Sequence, residues 1–351
     1  MIYGKKRRGM AIPVLLLSTL FVLASCGREQ AEIETVQIQN EPRQVKSEVL
    51  NLPKLTPAQL DDHSLQVVAT TSIIGDVVAN VGGENIELLT LMKAGQDPHN
   101  FDPGTGELTE VTEADVIFVN GWDLEEGLAD DLAIITDNIP IVAVGANIEP
   151  LYFKNDVGKF DKGEYGERHE RGPVDPHTWL AVPNVVQWVE NVEKILSDLD
   201  VDSAEVFKRN SQAYVAELEE VDSYVREQVE RVPVNKRVLV TNHGAFSYLA
   251  QEYGFSIAGT VIPSSSTLAE PSASDLFELI KLMEAESVCT IFSENTNNDV
   301  LAQTVAAELH ACEEVQVLPL YSGSLGPPGS GGDSYIGMMM ANVDTIVRGL
   351  E

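Results

Sequence analysis

The sequence predicts an α/β protein of two lobes, each a parallel sheet flanked by helices, joined by one long rigid helix. Short apolar runs alternate with helix-length stretches over residues 65–144 and again over 238–348, the spacing of right-handed βαβ units. Between the halves lies a segment richer in helix formers, in which Phe207, Tyr214, Leu218, Val221, Val225, Val229 and Val232 form an apolar seam of three- and four-residue steps.

Residues 1–26 read as a lipoprotein export signal. Lys5, Lys6, Arg7 and Arg8 form the charged start, Ala11 to Leu23 a short apolar run, and Leu23-Ala24-Ser25-Cys26 a lipobox. Cys26 becomes the lipidated first residue of a mature protein held outside the cytoplasmic membrane, and no later run is long and apolar enough to span a bilayer. Residues 27–62 are polar, with no apolar periodicity, and read as a flexible tether. Losing four basic and no acidic residues with the signal takes the formal charge from −32 to −36. That balance excludes nucleic acid and anionic lipid surfaces as partners and attracts cations without singling out a site.

The first lobe, residues 63–182, opens with a strand over Leu65–Thr70 and a helix over Ile73–Val81. A strand over Ile86–Met92, a helix near Glu107–Glu113, a strand over Val116–Val119, a helix near Leu124–Thr136 and a strand over Ile141–Val144 follow. The connector, 183–235, holds one helix over Val185–Leu196 and a second over Ser203–Val232, long enough at about 1.5 Å per residue to cross both lobes; a break near Glu219 is the alternative. The second lobe, 236–351, repeats the plan. Its strands lie at Val238–Thr241, Ser256–Val261, Val288–Phe292 and Val315–Leu318, its helices at Gly244–Tyr253, Ser274–Glu286, Val300–Ala311 and Tyr335–Arg348. Cys289 and Cys312 then fall at one sheet edge, where an oxidising compartment permits a disulfide.

Two of the six histidines carry the same prefix, in Asp97-Pro98-His99 and Asp175-Pro176-His177, each with an aromatic two residues on. Proline fixes its own φ and biases the preceding residue away from the helix, giving each histidine a stiff approach suited to a ligand. In open parallel sheets ligands bind beyond the carboxyl ends of strands. His99 follows one strand, His243 comes two residues after another, and Asp333 follows the last strand through a glycine-rich loop. That loop lacks the Lys-Ser/Thr pair of a phosphate cradle and reads as a lead-in to Asp333. Three imidazoles and one carboxylate fill a tetrahedral shell, which points to binding and release instead of catalysis. Glu294, at a strand's carboxyl end, is positioned either to orient a ligand histidine or to face solvent. His63, His169 and His310 read as surface residues.

These residues resemble a family, the metal-binding receptor lipoproteins of bacterial ABC importers for zinc and manganese (TroA- and ZnuA-like, cluster A-I solute-binding proteins). The resemblance covers about residues 65–350 and rests on the two Asp-Pro-His units, Asn242-His243-Gly244-Ala245-Phe246-Ser247-Tyr248-Leu249, Tyr253-Gly254-Phe255, Glu270-Pro271-Ser272 and Gly332-Asp333-Ser334-Tyr335 with Met338-Met339. It implies one metal held between the lobes by His99, His177, His243 and Asp333 in a monomer, with delivery to a membrane permease. Some manganese receptors of the family carry glutamate where this chain has His243, so a histidine favours zinc, with manganese the alternative. Against zinc, residues 154–172 offer only His169 where many zinc members carry a histidine-rich loop. Two other classes compete: an anchored zinc hydrolase, which lacks a His-Glu-x-x-His helix here, and a surface adhesin, for which no stretch speaks.

Overall fold

The computed structural model describes residues 49–60, 63–136, 138–153 and 172–351. Cys26 and the export signal, residues 27–48 of the tether and His169 lie outside the described residues.

The first lobe runs β1 (Leu65–Ala69), α1 (Ser72–Gly82), β2 (Ile86–Thr90), α2 (Thr105–Val111), β3 (Val116–Val119), α3 (Leu128–Ile135) and β4 (Ile141–Ala143). Its strands pair in parallel in the order β2-β1-β3-β4. The inner strands β1 and β3 are apolar almost throughout because helices cover both faces of the sheet. The Thr71 hydroxyl caps α1 by accepting from Ile74 N at 3.2 Å, which starts the helix three residues past the end of β1. α3 starts four residues later than its sequence pattern suggests. Trp122, Asp123, Glu126 and Gly127 all take positive φ, so the chain turns there before it coils.

The connector is α4 (Val182–Leu199) and α5 (Ala204–Glu230), and α5 is unbroken at Glu219. Its 27 residues span about 40 Å at the α-helical rise. The expected seam is its buried face, and each leucine- or phenylalanine-sized side chain buried along it contributes about 1.5–3 kcal/mol. One end is tied to the first lobe, where Asn210 Nδ2 donates to Val81 O at 3.0 Å and the Tyr214 hydroxyl to Asp76 Oδ2 at 3.1 Å. The other end meets the second lobe, where the Tyr224 hydroxyl donates to Asp344 Oδ1 at 2.8 Å. One rod bonded to both lobes makes the joint stiff.

The second lobe contains β5 (Val238–Thr241), α6 (Ser247–Tyr253), β6 (Ser256–Thr260), α7 (Ala273–Glu286), β7 (Thr290–Glu294), α8 (Val300–Glu308), β8 (Gln316–Leu320) and α9 (Tyr335–Leu350). Its parallel order β6-β5-β7-β8 repeats the first sheet's pattern. One apolar cluster passes from the first sheet through α4 and α5 into α9, so the lobes share a core. At α9's first residue, Tyr335 N donates to Asp76 Oδ2 at 3.1 Å, and its hydroxyl donates to Trp179 O at 2.8 Å.

Residues 49–60, expected to be the end of a tether, instead lie on the body of the protein. Leu52, Leu55, Ala58 and Leu60 pack against the core, and Ala58 N donates to Leu199 O at 2.9 Å. The segment belongs to no helix or strand, so neither helical nor strand periodicity marks it.

Cys289 and Cys312 form a disulfide with Cα atoms 5.8 Å apart. Both cysteines lie just outside the regular elements, because β7 begins at Thr290 and α8 ends at Glu308. Closing a loop of 23 residues constrains the unfolded chain by about 3 kcal/mol in the chain-entropy account. Neither cysteine should take up an alkylating agent in denatured, unreduced protein, and both should after reduction, as read by mass spectrometry. Modification of both without reductant would contradict the bridge.

Candidate metal centre

Each Asp-Pro-His unit is an Asx turn. Asp97 Oδ1 accepts from His99 N at 3.0 Å, and Asp175 Oδ1 accepts from His177 N at 2.9 Å, so the aspartate folds the chain about the proline and aims the histidine. The first unit lies in the loop between β2 and α2. The second lies beyond β4, just before a turn of 3₁₀ helix over Thr178–Leu180. His243 stands two residues past the end of β5.

The three rings meet at a buried point between the lobes, each no more than 4% exposed. His177 Nε2 is 3.2 Å from His99 Nε2 and 3.2 Å from His243 Nε2, and all three nitrogens lie within 4.8 Å of one another. Their outer nitrogens fix the tautomers. His177 Nδ1 donates to Asp175 Oδ1 at 2.8 Å, and His243 Nδ1 to Glu294 Oε1 at 2.6 Å. His99 Nδ1 faces Glu126 Oε1 at 3.3 Å. With a proton on each outer nitrogen, three lone pairs converge, an arrangement that repels unless a cation lies among them. Four-coordinate zinc at about 2.0–2.1 Å from each nitrogen sets neighbouring nitrogens roughly 3.3–3.4 Å apart, close to the two spacings of 3.2 Å that His177 makes here.

Electrostatics favour neutral rings at two of the three positions. Burial, with His177 and His243 alongside, pushes His99 down to about 2. Burial likewise holds His177 well below the ordinary imidazole range. Burial acts downward on His243 too, but the Glu294 carboxylate together with Asp97 and Asp175 outweighs it and His243 is raised; Glu294 is correspondingly lowered despite its own burial. Burial raises Asp175 to about 7, against donors from Ser247 and His177.

The fourth expected ligand does not join the others. Asp333 is exposed, and its Oδ2 accepts from Gly329 N at 2.7 Å. Gly329 and Gly331 take positive φ, which curls the loop so that Asp333 caps its own backbone. Glu294 is buried at the end of β7 and reaches both His243 Nδ1 and the Ser322 hydroxyl, which donates to it at 2.9 Å. His63 is half exposed, 3.9 Å from Asp115, and His310 is exposed. Sequence reasoning passed over Asp97 and Asp175 as ring-aiming groups, although Asp two residues before a histidine is the Asx-turn signature. Glu126 carried no such signal.

A family model described as "Zinc-uptake complex component A periplasmic" (ZnuA) matches residues 67–349. The manganese-binding lipoprotein MntA of Halalkalibacterium halodurans is 31% identical over 83% of this chain and 90% of its own. The manganese ABC transporter substrate-binding lipoprotein PsaA of Streptococcus pneumoniae is 30% identical over 82% of this chain and 90% of its own. Among solved structures, the periplasmic zinc binding protein TroA from Treponema pallidum matches with a TM-score of 0.70 and 29% identity, over 82% of this chain and 99% of that one. A Cd-bound periplasmic metal binding protein from Candidatus Liberibacter asiaticus matches at 0.69 and 26% identity, over 82% and 100%.

Proposed function

The chain belongs to the ZnuA family of metal-binding receptors, and from that premise we propose that it captures Zn²⁺ between its lobes on His99, His177 and His243 and hands it to a membrane permease. Members of this family are solute-binding components of ABC importers, not enzymes. The observation that carries the zinc reading is the set of three convergent imidazole nitrogens, backed by Asp175, Glu294 and Glu126. Imidazole suits zinc, whereas manganese favours oxygen-rich shells. Manganese is the second reading, favoured by the ion in the names of MntA and PsaA.

Among the described residues no helix is long and apolar enough to cross a membrane. The lipobox at Cys26 supports an acyl anchor holding a monomer at the outer face of the cytoplasmic membrane, in the path of incoming ions. The formal charge of −32 concentrates cations around it without choosing among them.

Selectivity is tested by equilibrating the full-length protein with equal, excess Zn²⁺ and Mn²⁺ and measuring bound metal by elemental analysis. Zinc near one equivalent with manganese at background is expected. Retained manganese with little zinc would overturn the zinc reading and leave the receptor class intact.

A further inference from the structure

We infer that residues 49–60 are an orienting strap: they carry the anchor's point of attachment to the end of the molecule that holds the metal centre, so that the membrane-bound receptor presents that end to the bilayer. The inference rests on the lipid-anchor reading of Cys26. In an open parallel sheet the ligand lies beyond the carboxyl ends of the strands, and here His99 follows β2, His243 follows β5 and Glu294 ends β7. The chain enters β1 at Leu65, the amino end of the first lobe's sheet. An anchor joined directly to β1 would therefore pull on the end opposite the metal and turn the centre away from the membrane.

The strap reverses this. At its trailing end Ala58 N donates to Leu199 O at 2.9 Å. Leu199 closes α4, which starts at Val182, shortly after His177, and whose 18 residues end about 27 Å from that start. At the strap's leading end Asn147 N donates to Leu50 O at 2.8 Å, and Asn147 lies past the carboxyl end of β4. Leu50 sits on Gly121, past the carboxyl end of β3, where a β-carbon would stand 2.6 Å from Leu50 Cδ1 and φ is +98°. Glycine alone leaves that seat open. The neighbouring Asn120 Nδ2 donates at 2.9 Å to the carbonyl of Pro176, the residue before His177. Between the two ends Leu52 and Leu55 pack on the core. The chain thus joins the body on the side of the metal centre. A formal charge of −32 draws the body to no anionic lipid surface, so the point of attachment sets how the receptor hangs.

The test uses the acylated, zinc-loaded protein purified from membranes and reconstituted into phosphatidylcholine vesicles that carry an energy-transfer acceptor on their headgroups. With Cys26 acylated and Cys289 joined to Cys312, an introduced cysteine is the one free thiol for a donor dye. Two exposed positions of the second lobe serve: Leu268→Cys, past the carboxyl end of β6, and Val234→Cys, before the amino end of β5. Transfer should be more efficient from position 268 than from 234. Leu52→Asp with Leu55→Asp, which undocks the strap, should abolish that difference while the zinc-dependent rise in melting temperature persists. Ala58→Pro, which deletes only the donor to Leu199, should diminish the difference and stands in should the double variant not fold. Equal transfer from the two positions, stronger transfer from 234, or a difference that survives in the folded strap variants would overturn the inference. Protein that does not join the vesicles at all would defeat the anchor reading itself, a distinguishable failure.

Discussion

Zinc should stabilise the wild-type protein by about 4 kcal/mol at a thousandfold excess over its dissociation constant, and His177→Ala should remove that increment. His177 is the ring whose Nε2 lies 3.2 Å from both other Nε2 atoms, so its loss leaves two ligands that no longer share a neighbour. The metal-free variant should itself melt lower, because truncation strands the buried Asp175 carboxylate beneath the missing ring. The informative quantity is therefore the zinc-dependent rise in melting temperature, measured for each variant against its own metal-free state. His169→Ala should keep the full rise. His243→Glu should lower the rise for zinc relative to manganese by exchanging a nitrogen for an oxygen. A rise that persists in His177→Ala and vanishes in His169→Ala would place the metal elsewhere.

Much of this architecture is legible in the sequence because the inner strands of parallel sheets are apolar on both faces. Val116–Val119 and Val238–Thr241 stand out as runs and begin and end where expected. The long helix is legible for a similar reason, since its seam of three- and four-residue steps is the face it buries. What sequence could not yield is where loops send their side chains. His99, His177 and His243 follow stiff or short leads, two of them set by proline, and they converge. Asp333 follows a glycine-rich loop whose course depends on two positive-φ glycines, and nearness to a strand end did not bring it to the rings. Glu126 reaches His99 only because the preceding turn takes left-handed conformations that a helical pattern conceals. The end of the tether, residues 49–60, lacks helical or strand periodicity and so reads as free chain, yet Leu52, Leu55, Ala58 and Leu60 pack on the core.

Glu294→Gln should separate orientation from charge at His243. In the wild-type apoprotein the carboxylate raises His243 above its ordinary value of 6.5. A folded-state value above the unfolded one means that the proton on His243 stabilises the apoprotein at low pH, a contribution lost as pH rises through the raised value. Zinc must displace that proton, so zinc affinity is complete above the raised value and falls as pH drops through it, beginning above 6.5. His99 and His177, already held neutral by burial, add no proton competition of their own, so at a pH below the raised value binding should release the His243 proton. The amide in Glu294→Gln still fits between His243 and Ser322 but no longer raises the imidazole, and burial then pushes it down. At alkaline pH the variant should bind zinc about 10–100-fold more weakly, as expected for a lost carboxylate behind a ligand histidine. Toward pH 5–6 the gap should narrow, because the wild-type protein pays a proton there that the variant does not. Titrations across pH in buffers of differing ionisation enthalpy measure both quantities. An unchanged pH midpoint in the variant would show that Glu294 holds the ring in place without setting its charge.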